Sequence, residues 1–306
     1  MPKITVAVCQ CACQEFNFDK TLAHLEKFAK EAVSKSAELA LFPEAFIGGY
    51  PRYSHFGSVV GHRTDAGRTE FLNYYKAAIC LNDGKDKSIE IQRIEEIARN
   101  ENIFLVIGII ERDGGTLYCT VIYIDPQQGL INSRRKLMPT GIERLVWGFG
   151  DVKDVKPVLL TKDISMGALI CWENYMPLLR YHLYSQNVQI YLAPTADGRD
   201  TWKASMQHIA VEGRTYVLSA NQFVKVKNMP KEHSLPEEFS DSESVLTNGG
   251  SLIVDPFGNI IAGPLFGEEG VLVAEIDTDQ CIRGKMDLDI CGHYARKDAF
   301  LFQVKE

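Results

Sequence analysis

Residues 166–174 read MGALICWEN, an apolar run that stops on Cys171 and passes at once to polar side chains. A short apolar run of this kind is typical of a buried strand. It predicts that Cys171 stands at the end of a strand, where its thiol meets solvent as a nucleophile must. Free cysteine is more often a small buried hydrophobe, so this interpretation needs support from the rest of the chain.

Strand-like and helical segments alternate on both sides of residues 166–174. Apolar runs bounded by Gly and Pro predict strands within residues 4–10, 38–44, 102–136, 164–171, 188–194, 216–224, 250–261 and 271–276. Helical periodicity predicts helices over residues 17–35, 66–80 and 88–99, from Pro177 onward, and over 201–213. Strands interleaved with helices in this way favour a layered α/β fold, in which helices cover the faces of sheets.

The chain offers no convincing linker at which it would divide. We assign residues 1–276 to one catalytic domain and residues 277–306 to a C-terminal tail that takes part in subunit association. Residues 227–244 are rich in Pro, Ser, Glu and Lys and have no apolar periodicity. They are predicted to form an exposed, mobile loop.

Composition excludes several classes of function. The net charge of −7, without a basic stripe, argues against a nucleic-acid binder. No apolar run is long enough to cross a membrane, and the N-terminus, Met1-Pro2 onward, lacks the features of a signal peptide. Eight cysteines in such a chain indicate reduced thiols and a cytoplasmic location. Cys9, Cys11 and Cys13 alternate on one strand face, where packing is a better interpretation than a metal site.

Three strand ends bear complementary chemical groups. Glu44 closes one predicted strand, Lys136 closes a second and Cys171 closes the third. Each is weak evidence alone, because a terminal carboxylate or a basic run such as Arg134 to Lys136 is usually a solvated surface feature. Together they supply a base, a cation and a thiol, which are the groups that an activated cysteine nucleophile requires.

Five separated strings of sequence match one known family in order. They are LFPEAF at 41–46, RKLMPT at 135–140, ER at 143–144, WGFGD at 147–151 and CWENYMP at 171–177. APT at 193–195 and GHYAR at 292–296 extend the match toward the C-terminus. These strings resemble the nitrilase branch of the carbon–nitrogen hydrolase (nitrilase) superfamily, whose motifs are Glu, Lys and Cys in that order.

The resemblance implies a four-layer αββα sandwich of the nitrilase type, a homodimer or higher homo-oligomer, and no metal or organic cofactor. It implies that Glu44, Lys136 and Cys171 are catalytic and that Glu143 is an auxiliary acid near them. Departures occur at Arg134, where histidine is common, and at Val152, where glycine is common. They leave the three catalytic groups in place and bear on substrate preference.

The expected activity is hydrolysis of a small-molecule nitrile to its carboxylic acid and ammonia. An amidase or carbamoyl hydrolase would use the same three groups, because a thiolate and a lysine donor serve an amide carbonyl equally well. Trp172, which follows the cysteine, argues against that alternative. A catalytically silent assembly subunit is the third reading, and the intact set of three groups disfavours it.

Several loop and strand-end side chains are candidates for the walls of a substrate pocket. They are Tyr50, Tyr53, Trp147, Trp172, Thr195 and Trp202. Aromatic residues are also ordinary core material, so the sequence leaves both interpretations open for each. A pair of a cysteine with His55, His62, His182 or His208 is disfavoured, because none of these four falls in a string that supports it.

Overall fold

The computed structural model describes residues 3–305, so Met1, Pro2 and Glu306, the ends of the predicted domain and tail, lie outside the described residues. Fifteen strands form within the described range: β1 Lys3–Gln10, β2 Leu39–Leu41, β3 Asn82–Asp83, β4 Asp86–Lys87, β5 Phe104–Asp113, β6 Thr116–Asp125, β7 Gly129–Arg135, β8 Val158–Thr161, β9 Ile164–Ala168, β10 Ile190–Leu192, β11 Tyr216–Ser219, β12 Phe223–Lys225, β13 Val245–Val254, β14 Ile260–Phe266 and β15 Gly270–Asp277. The same range holds six helices: α1 Phe18–Ser34, α2 Asp65–Ala77, α3 Ile89–Glu101, α4 Pro177–Tyr184, α5 Asp200–Gly213 and α6 Asp279–Asp287.

Two large sheets stack face to face. The first has the strand order β15-β1-β2-β5-β6-β7, and the second has the order β12-β13-β11-β10-β9-β8, with β14 also paired to β13. Their facing sides share one apolar core, to which Val6 and Leu41 contribute from the first sheet and Met166 and Leu192 from the second.

Helices cover the outer faces of both sheets. Leu25 of α1 and Ile94 of α3 pack on the first sheet. Leu183 of α4 and Met206 of α5 pack on the second. The predicted four-layer αββα sandwich is therefore confirmed. No helix within residues 3–305 is long and apolar enough to cross a membrane.

Local sequence accounts for several helix boundaries. Ser88 is the N-cap of α3: its hydroxyl accepts a hydrogen bond from the N–H of Ile91 and satisfies one free donor of the first turn. Helix α2 ends at Ala77, short of the predicted residue 80. The reason is that Ile79 leaves the helix and donates its N–H to Ile110 O at 3.0 Å, beside β5.

The C-terminal part of the chain packs against the second sheet. Cys281 of α6 is buried in the core between the sheets. The ring of Phe302 meets Tyr181 of α4 edge-on at 4.8 Å between centroids. Residues 277–305 thus follow the surface of the domain, whose predicted boundary at residue 276 stays a prediction.

Residues 227–244 include most of the short 3₁₀ turn Val226–Asn228 and all of the turn Glu237–Phe239, and they touch the domain at several points. Met229 is buried against Val224. His233 Nε2 donates to Arg52 O at 2.6 Å, and the ring of Phe239 lies 5.3 Å from that of Tyr53. The segment is mostly exposed, as predicted, but it rests on the loop that follows residue 49.

Candidate active site

Glu44 lies in a bulge between the two sheets. Strand β2 ends at Leu41, earlier than predicted, and residues 42–47 continue beside β5. Gly108 of β5 permits the bulge, since a Cβ there would lie 2.2 Å from Pro43 O and 2.7 Å from Glu44 Cα. Gln222 Nε2 donates to Glu44 O at 2.7 Å and fixes the bulge from the second sheet.

Lys136 directly follows β7 and is fully buried. Its backbone N–H donates to Cys119 O at 2.7 Å, and its carbonyl accepts from Gly150 N at 2.8 Å, so the main chain is held on both sides. The side-chain Nζ donates to Glu44 Oε1 at 2.6 Å and to Glu143 Oε2 at 2.7 Å. One ammonium group therefore joins the two carboxylates.

Glu143 lies in the 3₁₀ turn Gly141–Leu145. Its Oε2 also accepts from Thr140 N at 2.7 Å, and its Oε1 accepts from Tyr50 OH at 2.8 Å. The neighbouring Arg144 donates instead to a backbone carbonyl of the same turn. Glu143 is thus built into the buried cluster and is not a surface partner of Arg144.

Two carboxylates share one cation, and this sets the charge of the cluster. Burial raises the pKa of Glu44, Lys136 opposes that rise, and the negative charge of Glu143 adds to it. Burial alone would lower the pKa of Lys136, but Glu44, Cys171 and Glu143 together hold it well above its ordinary value. Lys136 therefore stays protonated, while Glu44 is suited to accept and return a proton.

Cys171 opens the 3₁₀ turn Cys171–Tyr175, and β9 has already ended at Ala168. Its backbone φ of 51° lies in the left-handed region that a side chain rarely adopts. The N–H donates to Pro194 O at 2.9 Å, and the carbonyl accepts from Asn174 Nδ2 at 2.7 Å. Only 4% of Cys171 is exposed, so the predicted solvent-facing strand end is wrong: the thiol lies in a buried turn.

The thiol of Cys171 is held in its protonated form. Burial raises its pKa, and Glu44 adds to the rise, while Lys136 and a hydrogen bond from Thr195 act in the opposite direction. Glu44 Oε2 has no hydrogen-bond partner among the described residues. That oxygen is free to take a proton, and the nearby Cys171 thiol already lowers the pKa of Glu44 somewhat. The nucleophile and its base are adjacent.

Glu173 ties the cysteine turn to the lysine segment across the two sheets. Its Oε2 accepts from Ile170 N at 2.7 Å, just before the cysteine. Its Oε1 accepts from Leu137 N at 2.6 Å and from Arg134 Nη2 at 2.5 Å, on either side of the lysine. Both charged groups are almost fully buried. Arg134, the first residue of the basic run 134–136, is therefore a buried, paired cation and not a solvated surface charge.

We expect Glu173→Gln to lower the free energy of unfolding by about 3 kcal/mol, because it leaves the Arg134 guanidinium buried without a counter-charge. Urea denaturation measures the change. The matched control is the double variant Arg134→Met/Glu173→Gln, which removes both charges and should recover most of the loss. Equal stability of the wild type and the single variant would contradict this role of the ion pair.

Three of the predicted pocket residues adjoin the cluster. Tyr50 bonds to Glu143, and its ring meets Trp147 edge-on at 5.8 Å. Lys136 Nζ lies 5.5 Å from the centre of the Trp147 ring. Thr195 Oγ1 donates to Cys171 Sγ at 3.3 Å. These aromatic and hydroxyl groups form the immediate surroundings of the reactive atoms.

The other three predicted pocket residues lie at the rim or farther away. Trp172 is 42% exposed and donates its indole N–H to Asp197 Oδ2 at 2.8 Å. Tyr53 rests on Phe239, and Trp202 is a core residue of α5 that donates to Ser219 Oγ at 2.8 Å. Neither Tyr53 nor Trp202 makes a described bond to the catalytic cluster. The role of these six residues in binding stays a prediction.

Three residues that hold the catalytic segments in place were not predicted from the sequence: Glu173, Cys119 and Gln222. Glu173 stands within the CWEN string, so its position next to the cysteine was an available signal. Cys119 Sγ donates to Glu44 Oε1 at 3.6 Å, and nothing in its strand pattern marks it. In residues 3–305, no set of three or more His, Cys, Asp or Glu side chains is arranged to hold a metal ion.

Comparisons with known proteins identify one family over nearly the whole chain. The model of the carbon–nitrogen hydrolase family matches residues 5–285. An arylacetonitrilase from Trametes versicolor is 48% identical, over 99% of this chain and 97% of that protein. An aliphatic nitrilase from Sinorhizobium fredii is 46% identical, over 100% of this chain and 97% of that one.

A solved structure supports the fold independently. Nit3 of Saccharomyces cerevisiae, a member of branch 10 of the nitrilase superfamily, superposes with a TM-score of 0.71 at 21% identity, over 95% of this chain and 96% of the other. The family model and the similarity to these two nitrilases show that this chain belongs to the nitrilase branch of the carbon–nitrogen hydrolase family.

Proposed function

We propose that this protein hydrolyses an organic nitrile to its carboxylic acid and ammonia, with Cys171 as the nucleophile. The observation that supports this most directly is the buried Lys136 ammonium, joined to Glu44 at 2.6 Å and to Glu143 at 2.7 Å. Near-full-length similarity to nitrilases of more than 45% identity supports the choice of a nitrile.

In the first half of the reaction, Glu44 takes the proton of Cys171. The thiolate attacks the nitrile carbon and forms a covalent thioimidate. Negative charge develops on the nitrile nitrogen, which Lys136 protonates, with the backbone N–H of Trp172 as a further donor. Glu143 holds the ammonium in place through its own bond to Lys136.

In the second half, Glu44 first returns its proton to Lys136, to which it is hydrogen-bonded at 2.6 Å. The restored carboxylate then takes a proton from a water molecule that adds to the thioimidate carbon, while Lys136 protonates the nitrogen. The tetrahedral intermediate expels ammonia and leaves an acyl-thioester on Cys171. A second water, again activated by Glu44, releases the carboxylic acid and restores the thiol. Tyr50, Trp147 and Thr195 would line the reacting end of the pocket, with Trp172, Tyr53 and Trp202 as the weaker candidates for its outer part.

An amidase or carbamoyl hydrolase is the second candidate. The deciding experiment compares the turnover of nitrile and amide substrates that carry the same side chain. The side chains are aliphatic, arylaliphatic and aromatic, and acid, amide and ammonia are measured together. We expect kcat/KM for each preferred nitrile to exceed that for its amide by at least about tenfold. A tenfold difference corresponds to about 1.4 kcal/mol of transition-state stabilisation. Faster hydrolysis of the amides would overturn the proposal in favour of the amidase.

The proposal extends to assembly and location. Residues 277–306 would join subunits into a homodimer or larger homo-oligomer, and Phe300 and Leu301 in this segment expose 76% and 92% of their surface. Large exposed apolar side chains of this kind are common at protein contacts. A cytoplasmic location would keep the reactive thiol reduced.

A further inference from the structure

The hydroxyl group of Thr195 has a defined orientation. Thr195 follows β10, is fully buried, and donates its N–H to Ala220 O at 2.9 Å. Its Oγ1 accepts a hydrogen bond from Asp197 N at 3.0 Å. The single hydroxyl proton is then directed at Cys171 Sγ, 3.3 Å away. Thr195 therefore serves the sulfur as a fixed donor.

The nitrile reaction has one step at which such a donor would change the product. The tetrahedral intermediate bonds one carbon to the Cys171 sulfur, an NH₂ group and an OH group. If the C–N bond breaks, the OH proton passes to Glu44, the nitrogen takes a proton from Lys136 and leaves as ammonia, and the acyl-thioester remains. If the C–S bond breaks instead, the OH proton passes to Glu44, the sulfur leaves as thiolate, and the amide is released.

We propose that Thr195 sets the proportion of amide to acid, by donating a hydrogen bond to the Cys171 sulfur as the C–S bond of the tetrahedral intermediate breaks. This inference rests on the proposed nitrile hydrolysis. It assigns amide release to a specific group of this chain and makes Thr195 a determinant of the product.

The physical reason is that the hydrogen bond changes strength along one path only. A thioether sulfur in the intermediate is a weak acceptor. A departing thiolate is charged, and hydrogen bonds to charged groups are about twice as strong as neutral ones. The bond therefore stabilises the transition state for C–S cleavage more than the intermediate, which is the condition for accelerating that path.

The competing path is served by groups on the other side of the cluster. Lys136 donates to Glu44 and Glu143, and none of its described hydrogen bonds involves Thr195. The nitrogen thus has a proton donor on one sheet, and the sulfur has a hydrogen-bond donor on the other. A change at Thr195 should alter the ratio of products without removing the donor on which ammonia release depends.

The test compares Thr195→Val, which keeps the shape and removes the hydroxyl, with Thr195→Ser, which keeps the hydroxyl. The amide-to-acid ratio is measured for a preferred nitrile by chromatography at early times. We expect Thr195→Val to lower the ratio about tenfold, the size of effect expected for losing a hydrogen bond to a charged group, and Thr195→Ser to remain within about twofold of the wild type. The ratio is independent of how much enzyme is folded.

An unchanged or higher ratio in Thr195→Val would overturn the proposal, as would a wild type that releases no measurable amide. A second measurement, the rate of alkylation of Cys171 by iodoacetamide near neutral pH, distinguishes failure of the proposed function from failure of this inference. If no nitrile is turned over, the proposed function fails and this inference fails with it. Slower alkylation of Thr195→Val than of Thr195→Ser would then still establish the hydrogen bond itself.

Discussion

Cys171→Ala should abolish nitrile turnover, with kcat lower by at least about 10⁴-fold, the scale of loss when a covalent nucleophile is removed. The variant keeps the backbone contacts of the cysteine turn, to Pro194 and Asn174. Alanine meets the same φ of 51° as the cysteine it replaces. We therefore expect the melting temperature to change little, so that ammonia release and thermal unfolding together isolate the chemical step.

The matched control for that variant is Cys291→Ala. Cys291 is a partly exposed thiol in the C-terminal segment, with no described hydrogen bond to the catalytic cluster. It should retain wild-type turnover and lose only its own label in a thiol-counting assay. Equal ammonia release by Cys171→Ala and the wild type would exclude the covalent mechanism and leave a binding or assembly role for the chain.

Lys136→Met should lower kcat by about 10³-fold, because it removes the preorganised donor to the developing charge on the substrate nitrogen. It also leaves Glu44 and Glu143 buried with no cation between them. Removing one partner of a buried ion pair costs about 3 to 5 kcal/mol. We expect a lower free energy of unfolding in urea as well as the loss of turnover.

These two effects separate in the double variant Lys136→Met/Glu143→Gln. Removing one carboxylate relieves the excess negative charge, so stability should return in part. Turnover should not return, since the proton donor is still missing. A Lys136→Met enzyme that retains more than a tenth of wild-type kcat would show that another group protonates the substrate.

The layers of the fold and the three reactive groups could be predicted from local sequence. Apolar alternation and helical periodicity mark the elements, and Glu44 and Cys171 stand at the ends of apolar runs, whereas Lys136 ends the basic run 134–136. Burial of both faces of the sheets makes those runs conspicuous. A base, a cation and a thiol together indicate an activated thiol, and the resemblance of five sequence strings to the nitrilase branch identified the three groups as one site.

The geometry of the cysteine turn could not be predicted in the same way. The strand ends at Ala168, and the positive φ at Cys171 is held by bonds from distant segments, among them those of Glu173 to Leu137 and Arg134. Local pattern has no information on contacts between residues more than thirty positions apart. The thiol was for this reason expected in solvent and lies buried.

Aromatic side chains were the least predictable part of the site. The sequence left both interpretations open for Trp147 and Trp202, yet Trp147 lies beside Lys136 and Trp202 donates to Ser219 within the helix-covered core. Which of them faces the cluster depends on how α5 packs on its sheet. That is a property of the assembled fold and has no local signature.

Residues 227–244 reach the neighbourhood of the reaction only indirectly. Their described contacts include the loop of Arg52 and Tyr53, and none of their side chains has a described hydrogen bond to Glu44, Lys136 or Cys171. Substitutions there can therefore accumulate over generations without disturbing the reacting atoms. Related enzymes can therefore differ in residues 227–244, and so in the substrates that they accept, while the groups that break the bonds stay the same.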